Sequence, residues 1–188
     1  MIIYTDGSCL GNGKANSKGG FGVVVFDDNN RLIDAYGHWE EHTTNNIQEL
    51  KAVLYAIYHY GNKSIVPIVY TDSSYVHQTF TKWMYNWANN GWLKSDKKEP
   101  ENLELIQTYY YLIKKGYRID LRKVTGHSGV KGNELADMIA TGKINPKDLF
   151  NIAKALELQP MDIVRKYCDT YIGEDSRFPI VRLKPQGT

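Results

Sequence analysis

Four acidic residues occupy positions where a carboxylate is costly unless it has a chemical task. Asp6 and Asp72 each end a short apolar stretch, in "IIYTDGS" and "IVYTDSS". Glu49 and Asp137 each lie among apolar residues of a helical pattern. Carboxylates held close together repel one another unless a cation neutralises them, and Mg²⁺ prefers such oxygen ligands. The four residues therefore predict a divalent-metal site.

The chemistry that fits such a site is phosphodiester hydrolysis. Two metal ions about 4 Å apart can activate an attacking water and stabilise the leaving oxygen. His127 lies in the glycine-rich loop "TGHSGVKG", just before the predicted helix of Asp137. A single histidine is more often structural, but this one is placed to reach the acids and could relay a proton near neutral pH.

Each acid also has an ordinary structural explanation. Asp6 and Asp72 could be turn residues that bind nearby backbone. Glu49 could close a capping box with Asn46, and Asp137 in the first turns of a helix is favoured by the helix dipole. Each explanation suffices for its residue alone, but four such coincidences would have to fall at mutually reachable ends of one sheet.

The framework that would hold the acids is predicted by hydrophobic periodicity. In the first half, the patterns predict three antiparallel strands, a helix and then a strand parallel to its neighbour: Met1–Thr5, Gly20–Asp28, Arg31–Trp39, Thr43–Tyr60 and Val66–Thr71. Asp6 and Asp72 would then leave the same edge of the sheet, where open α/β sheets bind ligands.

The second half adds helices and one more strand. The patterns predict helices over Ser74–Trp87, Leu103–Lys115 and Asn133–Thr141, loops over Asn89–Asn102 and Thr125–Gly132, and a strand over Tyr117–Val124. The predicted fold is α/β, with a mixed five-stranded sheet of three antiparallel and then parallel strands, flanked by helices.

The C-terminal part of the chain has a different pattern. We place a domain boundary near residue 142, with a catalytic domain at 1–142 and an extension at 143–188. Two short amphipathic helices are predicted within Asn145–Tyr167, followed by an irregular final fifteen residues. The favoured interpretation is a small helical hairpin that packs on the catalytic domain, and a role in docking nucleic acid or a protein partner stays open.

Composition restricts the class of protein. Of the 188 residues, 42% are hydrophobic and 23% are charged, which is typical of a globular chain. The sequence has no apolar run of membrane-spanning length and no signal-peptide pattern, and its two cysteines are far apart. These features predict a cytoplasmic protein with no membrane contact, which we expect to be a monomer.

Net charge alone does not indicate a nucleic-acid partner, because it is only +2. The distribution of charge is more informative. Lysines 94, 97 and 98 cluster near three tryptophans, and a second basic run contains Lys114, Lys115, Arg118, Arg122 and Lys123.

The ordered set of motifs resembles the ribonuclease H family, type 1 branch, over about residues 1–141. The resemblance is carried by "YTDGSCLGN", "GGFGVVV", "TTNNIQEL", "YTDSSYV", "WMYNWANNGWLKSDKK" and "VTGHSGVKGNELAD". It implies an endonuclease that cuts the RNA strand of RNA–DNA hybrids and leaves a 5′-phosphate and a 3′-hydroxyl. It also implies a cofactor of two Mg²⁺ ions, for which Mn²⁺ can substitute.

The resemblance assigns roles to individual residues. It makes Asp6, Glu49, Asp72 and Asp137 the metal ligands, and His127 the mobile residue that handles a proton. Its substrate-contacting positions near the metals fall on Gly7, Ser8, Cys9, Asn12, Asn45, Asn46 and Ser74. The family's aromatic and basic substrate-binding segment, here called the handle, corresponds to Trp83–Lys98. Its predicted contact residues are Trp83, Trp87, Trp92, Lys94, Lys97 and Lys98. Helix capping by the two asparagines and ordinary core packing by the tryptophans are the alternatives.

Three features depart from the family pattern. Ala88, Asn89 and Asn90 stand where handles often carry more basic residues, which predicts weaker hybrid binding. The loop Gly11–Gly20 is longer than usual, with Lys14 and Lys18 as possible replacements for that charge. The extension after residue 141 has no counterpart in the minimal domain.

Two other functions compete with the hydrolase. A transposase-like or integrase-like nuclease would share the fold, but its acid order and spacing differ. A binding protein on an inactive scaffold would be expected to have lost at least one acid or His127. Presence of all five residues favours the enzyme.

Overall fold

A computed structural model of the chain describes residues 1–126, 129–149, 151 and 181–183. Six strands form one mixed sheet: β1 (Ile2–Leu10), β2 (Lys18–Phe26), β3 (Leu32–Glu41), β4 (Ile68–Thr71), β5 (Asp120–Lys123) and β6 (Val181–Leu183). Their order across the sheet is β5-β4-β1-β2-β3-β6. The predicted mixed α/β sheet, with three antiparallel strands followed by parallel ones, is confirmed.

The central pairing brings Asp6 and Asp72 next to each other. β1 runs antiparallel to β2 and parallel to β4, with Thr5 opposite Thr71. Asp6 and Asp72 follow these paired threonines. The predicted strand end at Thr5 is wrong, because β1 continues to Leu10 and Asp6 is still paired with Gly22 of β2. The pairing with β4 does end at Thr5 and Thr71, so the two carboxylates lie side by side where the neighbouring strand stops.

Five α-helices flank the sheet within the described part of residues 1–140: α1 (Asn45–Tyr60), α2 (Ser74–Gln78), α3 (Met84–Asn89), α4 (Leu103–Lys114) and α5 (Lys131–Ala140). α1 begins where Thr44 Oγ1 accepts a hydrogen bond from the Ile47 amide, at 3.2 Å. α5 begins at Lys131, two residues before the predicted start at Asn133.

The single helix predicted over Ser74–Trp87 is interrupted by a π-helical segment, Thr79–Trp83, between α2 and α3. Val76, Phe80 and Met84 are buried at intervals of four residues. A regular α-helix would rotate such a series away from the core by about 40° at each step, and a wider π turn keeps it on one face. Burial of this apolar series accounts for the wider turn.

Helices cover both faces of the sheet. α1 and α4 contribute to one core, which includes Ile3, Val23, Leu50, Val53, Ile57, Val69, Ile106 and Leu112. α5 packs on the other face with Val24, Phe26, Ala35, Leu135, Ile139, Ile144 and Leu149. The sheet and the acids at its edge are thus held from both sides.

The start of the predicted extension packs against the second core. Ile144 and Leu149 are buried, and residues 146–149 are helical. The rest of the two predicted helices within Asn145–Tyr167, apart from residue 151, lies outside the described residues. The prediction of an irregular end is wrong for Val181–Leu183, because β6 pairs antiparallel with β3. The boundary at residue 142 stays a prediction.

None of the described helices is long and apolar enough to cross a membrane.

Candidate active site

A close approach between β1 and α1 places Glu49 beside Asp6. Gly7 lies directly against the α1 backbone, so that a Cβ atom at this position would be 2.3 Å from the Glu49 amide nitrogen. Only a residue without a side chain permits this packing. The glycine of "TDGS" therefore has a specific task, which is to let the first and second acids meet.

Three carboxylates converge at the sheet edge. One oxygen from each of Asp6, Glu49 and Asp72 lies within 4.8 Å of the other two. Asp6 and Glu49 are buried, whereas Asp72 is partly exposed. With Asp137 they line a cavity of about 440 Å³, whose other lining residues are Gly7, Ser8, Asn45, Ser73 and Gly126.

Burial and mutual repulsion raise the pKa values of the two enclosed acids, Asp6 and Glu49. Burial, followed by the neighbouring charges of Asp72 and Asp137, raises the pKa of Asp6 to about 8. Burial and the charge of Asp6 likewise raise the pKa of Glu49 well above its usual range. A hydrogen bond from the Gly7 amide opposes both changes but is the smaller effect. Without a cation, the cluster therefore retains protons at neutral pH.

Asp72 is held in place by α5 and the loop before it. Asn133 Nδ2 donates a hydrogen bond to Asp72 Oδ2 at 3.0 Å. A Cβ atom at Gly126 would lie 2.7 Å from the same oxygen, so this loop approaches the carboxylate closely. Sequence reasoning missed Asn133 as a site residue. Its position four residues before Asp137, on the same helix face, was the available signal.

Asp137 lines the cavity from α5 but is not one of the three most tightly grouped acids. Its Oδ2 lies 3.8 Å from Lys143 Nζ, and the side chain of Asp137 is 24% exposed. Asp137 therefore faces the wetter side of the site and has a cation nearby, whereas Asp6 and Glu49 are enclosed.

The donor set fits a hard divalent cation. Glu49 Oε2 is buried and has no hydrogen-bond partner among the described residues. A buried oxygen without a partner is expensive, and a bound cation would remove that cost. Carboxylate oxygens alone, without sulfur or imidazole in the described cluster, are the ligands that Mg²⁺ and Mn²⁺ prefer.

The predicted substrate residues near the acids divide into two groups. Gly7, Ser8 and Asn45 line the cavity. Asn12 Oδ1 accepts a hydrogen bond from the Asn45 amide at 3.0 Å, and so ties the long loop after β1 to the start of α1.

The remaining predicted positions do not line the cavity. Cys9 Sγ contacts the Thr43 carbonyl oxygen at 3.4 Å, and Asn46 lies in the first turn of α1. Ser74 is exposed at the start of α2, and it is Ser73 that faces the acids. His127 lies outside the described residues.

The predicted handle, Trp83–Lys98, is an aromatic stretch followed by an exposed basic turn. The Trp83 and Trp87 ring centroids are 6.0 Å apart, and Trp92 packs edge-on against Tyr110 at 5.3 Å. The Lys94 amide donates to the Lys98 carbonyl at 2.9 Å, which closes the basic turn. The three tryptophans are half-buried, and Trp87 and Trp92 pack against the first core. The side chains of Lys97 and Lys98 are exposed, and the role of the whole stretch in substrate binding stays a prediction.

Comparison with known proteins agrees with the fold and the acid cluster. The ribonuclease H family matches residues 1–145. The ribonuclease H of Bradyrhizobium diazoefficiens is 39% identical over 141 residues, covering 74% of this chain and 86% of that protein. The crystal structure of LC9-RNase H1, described as a type 1 RNase H with the type 2 active-site motif, has a TM-score of 0.63 at 32% identity and covers 75% of this chain and 70% of that one.

A second solved structure supports the fold alone, since its identity is low. LC11-RNase H1 in complex with an RNA/DNA hybrid has a TM-score of 0.54 at 22% identity, over 77% of this chain and 99% of that one. The α/β sheet with its acid cluster, taken with these relatives, defines the protein as a nuclease. The chain belongs to the ribonuclease H family, as the type 1 motifs in its sequence predict.

Proposed function

We propose that this protein cleaves the RNA strand of RNA–DNA hybrids, with two divalent metal ions, to give 5′-phosphate and 3′-hydroxyl ends. The observation that carries the proposal is the convergence of Asp6, Glu49 and Asp72, with one oxygen of each within 4.8 Å of the others. The proposal also draws on the names of the relatives and on the hybrid in the LC11-RNase H1 complex.

The four acids are proposed to hold the metal ions. When bound, such ions supply Lewis acidity toward the phosphate and lower the pKa of a bound water. The enclosed pair, Asp6 and Glu49, must release protons for the metal to bind, because the pKa values of both are raised. The hydrogen bond from Asn133 holds Asp72 in place during this exchange.

His127 is proposed to move a proton during cleavage, on the strength of its place in the "TGHSG" motif. The short loop between β5 and α5 carries it, and Gly126 in that loop contacts Asp72. The unperturbed pKa of histidine suits proton transfer near neutral pH.

Selection of RNA requires contacts to 2′-hydroxyl groups in the wide minor groove of the hybrid. The backbone and small polar side chains of Gly7, Ser8 and Asn45 line the cavity beside the acids and are proposed to make these contacts. Lys97 and Lys98 of the handle are proposed to meet the phosphates of the DNA strand.

The test is cleavage of a labelled RNA–DNA hybrid, with duplex DNA and duplex RNA in parallel, in Mg²⁺, Mn²⁺ or EDTA. We expect cleavage of the hybrid only, no cleavage in EDTA, and no cleavage by the Asp72→Asn variant. Asp148→Asn, which changes an exposed carboxylate outside the cavity, is the matched control and should retain activity. An intact hybrid in both metals would refute the proposal.

A further inference from the structure

The ends of α1 and α4 farthest from the acid cluster form a basic and aromatic surface that the proposed function does not use. We define it by Tyr58, Lys63, Tyr111, Lys115 and Tyr117 and call it the α1/α4 end. Glu49 lies twelve residues before Gly61, the residue that ends α1. At a rise of 1.5 Å per residue, the two sites are roughly 18 Å apart along the helix axis.

The charge of this surface is one-sided. No acidic residue occurs from Leu50 to Thr71 or from Leu105 to Ile119. No carboxylate among the described residues lies within 4.0 Å of Lys63 Nζ or Lys115 Nζ, so both cations are available to a ligand. Arg122 of the same basic run is paired with Asp120 at 2.6 Å and is excluded from this surface.

The two lysines share one pocket. Lys63, Lys115 and Tyr117 line a cavity of about 320 Å³ between the helix ends, together with Gly61, Asn62 and Gly116. This volume is ample for a phosphate group. The convergence of two ammonium groups on a pocket without a described carboxylate is suited to an anion.

Helix dipoles work against an anion here, because both helices point their C-termini at the pocket. Each such end carries roughly half a negative charge, whereas the two lysines carry two full positive charges. Part of this cost is already removed, since Arg118 Nη1 donates to the carbonyl oxygens of Ile113 and Tyr117, at 2.6 and 2.7 Å. The lysines then provide a net attraction for a phosphate.

Exposed aromatic rings adjoin the lysine pocket. Tyr58 is 59% exposed and Tyr111 is 57% exposed, which is unusual for large rings. Both line a second cavity of about 600 Å³ between β3, α1 and α4. Tyr58 lies near Tyr117 at 6.4 Å between ring centroids, with their planes 11° apart, and Lys115 Nζ lies 5.1 Å from the centre of the Tyr111 ring. Rings and cations therefore form one continuous surface.

We propose that the α1/α4 end binds a single strand of nucleic acid, with phosphates at Lys63 and Lys115 and unpaired bases on Tyr58 and Tyr111. Exposed rings stack on bases only where the bases are not already paired, and this favours a single strand over a duplex. Such a strand would be a single-stranded flank of the substrate, held apart from the acid cluster. Binding here does not depend on cleavage and needs no metal.

The first test is the salt dependence of binding of a fluorescent twelve-nucleotide single strand, DNA or RNA, to the full-length protein in EDTA. Each neutralised phosphate of a single strand contributes about −0.7 to the slope of log K against log salt concentration. We expect the double variant Lys63→Gln/Lys115→Gln to reduce this slope by about 1.4. Glutamine keeps most of the aliphatic stem, so the packing of Lys63 over Gly116 is largely retained.

The second test changes the rings. Tyr58→Ala/Tyr111→Ala should weaken binding about fivefold or more, the lower limit for one lost base stack, without a change in the salt slope. Tyr58→Phe/Tyr111→Phe keeps both rings and should bind as the wild type does. Lys147→Gln, an exposed lysine on the opposite face of the sheet, is the charge control and should also leave the slope unchanged.

Two results would overturn the proposal. One is an unchanged slope and affinity in both double variants that alter the α1/α4 end. The other is a smaller salt slope of single-strand binding in Lys97→Gln/Lys98→Gln together with an unchanged slope in Lys63→Gln/Lys115→Gln. The strand would then bind the handle. Neither result bears on cleavage of the hybrid, so this proposal and the proposed function can fail separately.

Discussion

Asp6 should make the metal-free protein less stable as the pH rises. Burial and the charges of Asp72 and Asp137 raise the pKa of Asp6 from an ordinary value of 3.8 to about 8. Below pH 3.8 the folded and unfolded chains both carry the proton. Between pH 3.8 and 8 the unfolded chain gives it up and the folded chain retains it, so the free energy of unfolding falls with pH through this range.

The size of the effect follows from the pKa change. One pKa unit is worth 1.36 kcal/mol, so the loss between pH 4 and pH 8 is roughly 6 kcal/mol as an upper limit. Glu49 acts in the same direction, because its pKa is also raised. Domains are stable by only about 5–15 kcal/mol, so even part of this loss should be measurable.

The assay is urea unfolding in EDTA from pH 5 to pH 9, monitored by fluorescence of the four tryptophans. The wild type should lose stability steadily as the pH rises. The free energy of unfolding of Asp6→Asn should change less with pH, because the amide cannot ionise. At pH 8 this variant should be more stable than the wild type. Added Mg²⁺ should restore stability at pH 8 in the wild type and much less in the variant, because a ligand of the folded state stabilises it.

Two results would refute this reasoning. Stability of the metal-free wild type that is constant or increasing from pH 5 to pH 8 would mean that Asp6 is not held in a protonated state by its surroundings. Equal stabilisation of the wild type and Asp6→Asn by Mg²⁺ would mean that the cation binds elsewhere. Asp148→Asn is a control, because that carboxylate is exposed and lies outside the cavity of the acids.

Three further predictions concern the packing of the site and the handle. Gly7→Ala should destabilise the protein by about 1–3 kcal/mol, measured by urea unfolding, and should abolish cleavage, because its Cβ would enter the α1 backbone. Asn133→Ala removes the 3.0 Å hydrogen bond to Asp72. It should raise the Mg²⁺ concentration needed for half-maximal cleavage by about 10–100-fold, measured by metal titration. Lys97→Gln/Lys98→Gln should reduce the salt slope of hybrid binding by about 1.8 and leave the single-turnover rate at saturation unchanged.

The sheet edge and its acids could be predicted because each strand has its own local signal. Short apolar runs that end in "YTD" mark β1 and β4, and the helix between them requires a parallel pairing. In the structure, Thr5 lies opposite Thr71 in this pairing. Glu49 was accessible to the same reasoning, since a lone acid on an apolar helix flank is informative.

Other features depend on contacts that no local pattern contains. The π-helical segment keeps Val76, Phe80 and Met84 buried together, and Phe80 there stacks on Tyr109 of α4 at 3.8 Å between ring centroids. Asn133 gains its role only when α5 meets the end of β4. β6 joins the sheet from 140 residues beyond β3, and a three-residue strand has no periodicity to detect.

The arrangement of the two cores explains how the acids can be held together against their repulsion. α1 carries Glu49 and is fixed by the fully buried Leu50 and Val53, one and four residues further along the helix. α5 carries Asp137 and is fixed in the same way by Leu135 and Ala136. Because each acid is flanked by anchored apolar residues on opposite faces of one sheet, neither helix can move outward without opening a core. The repulsion is therefore relieved by protonation or by a cation, and not by relaxation of the fold.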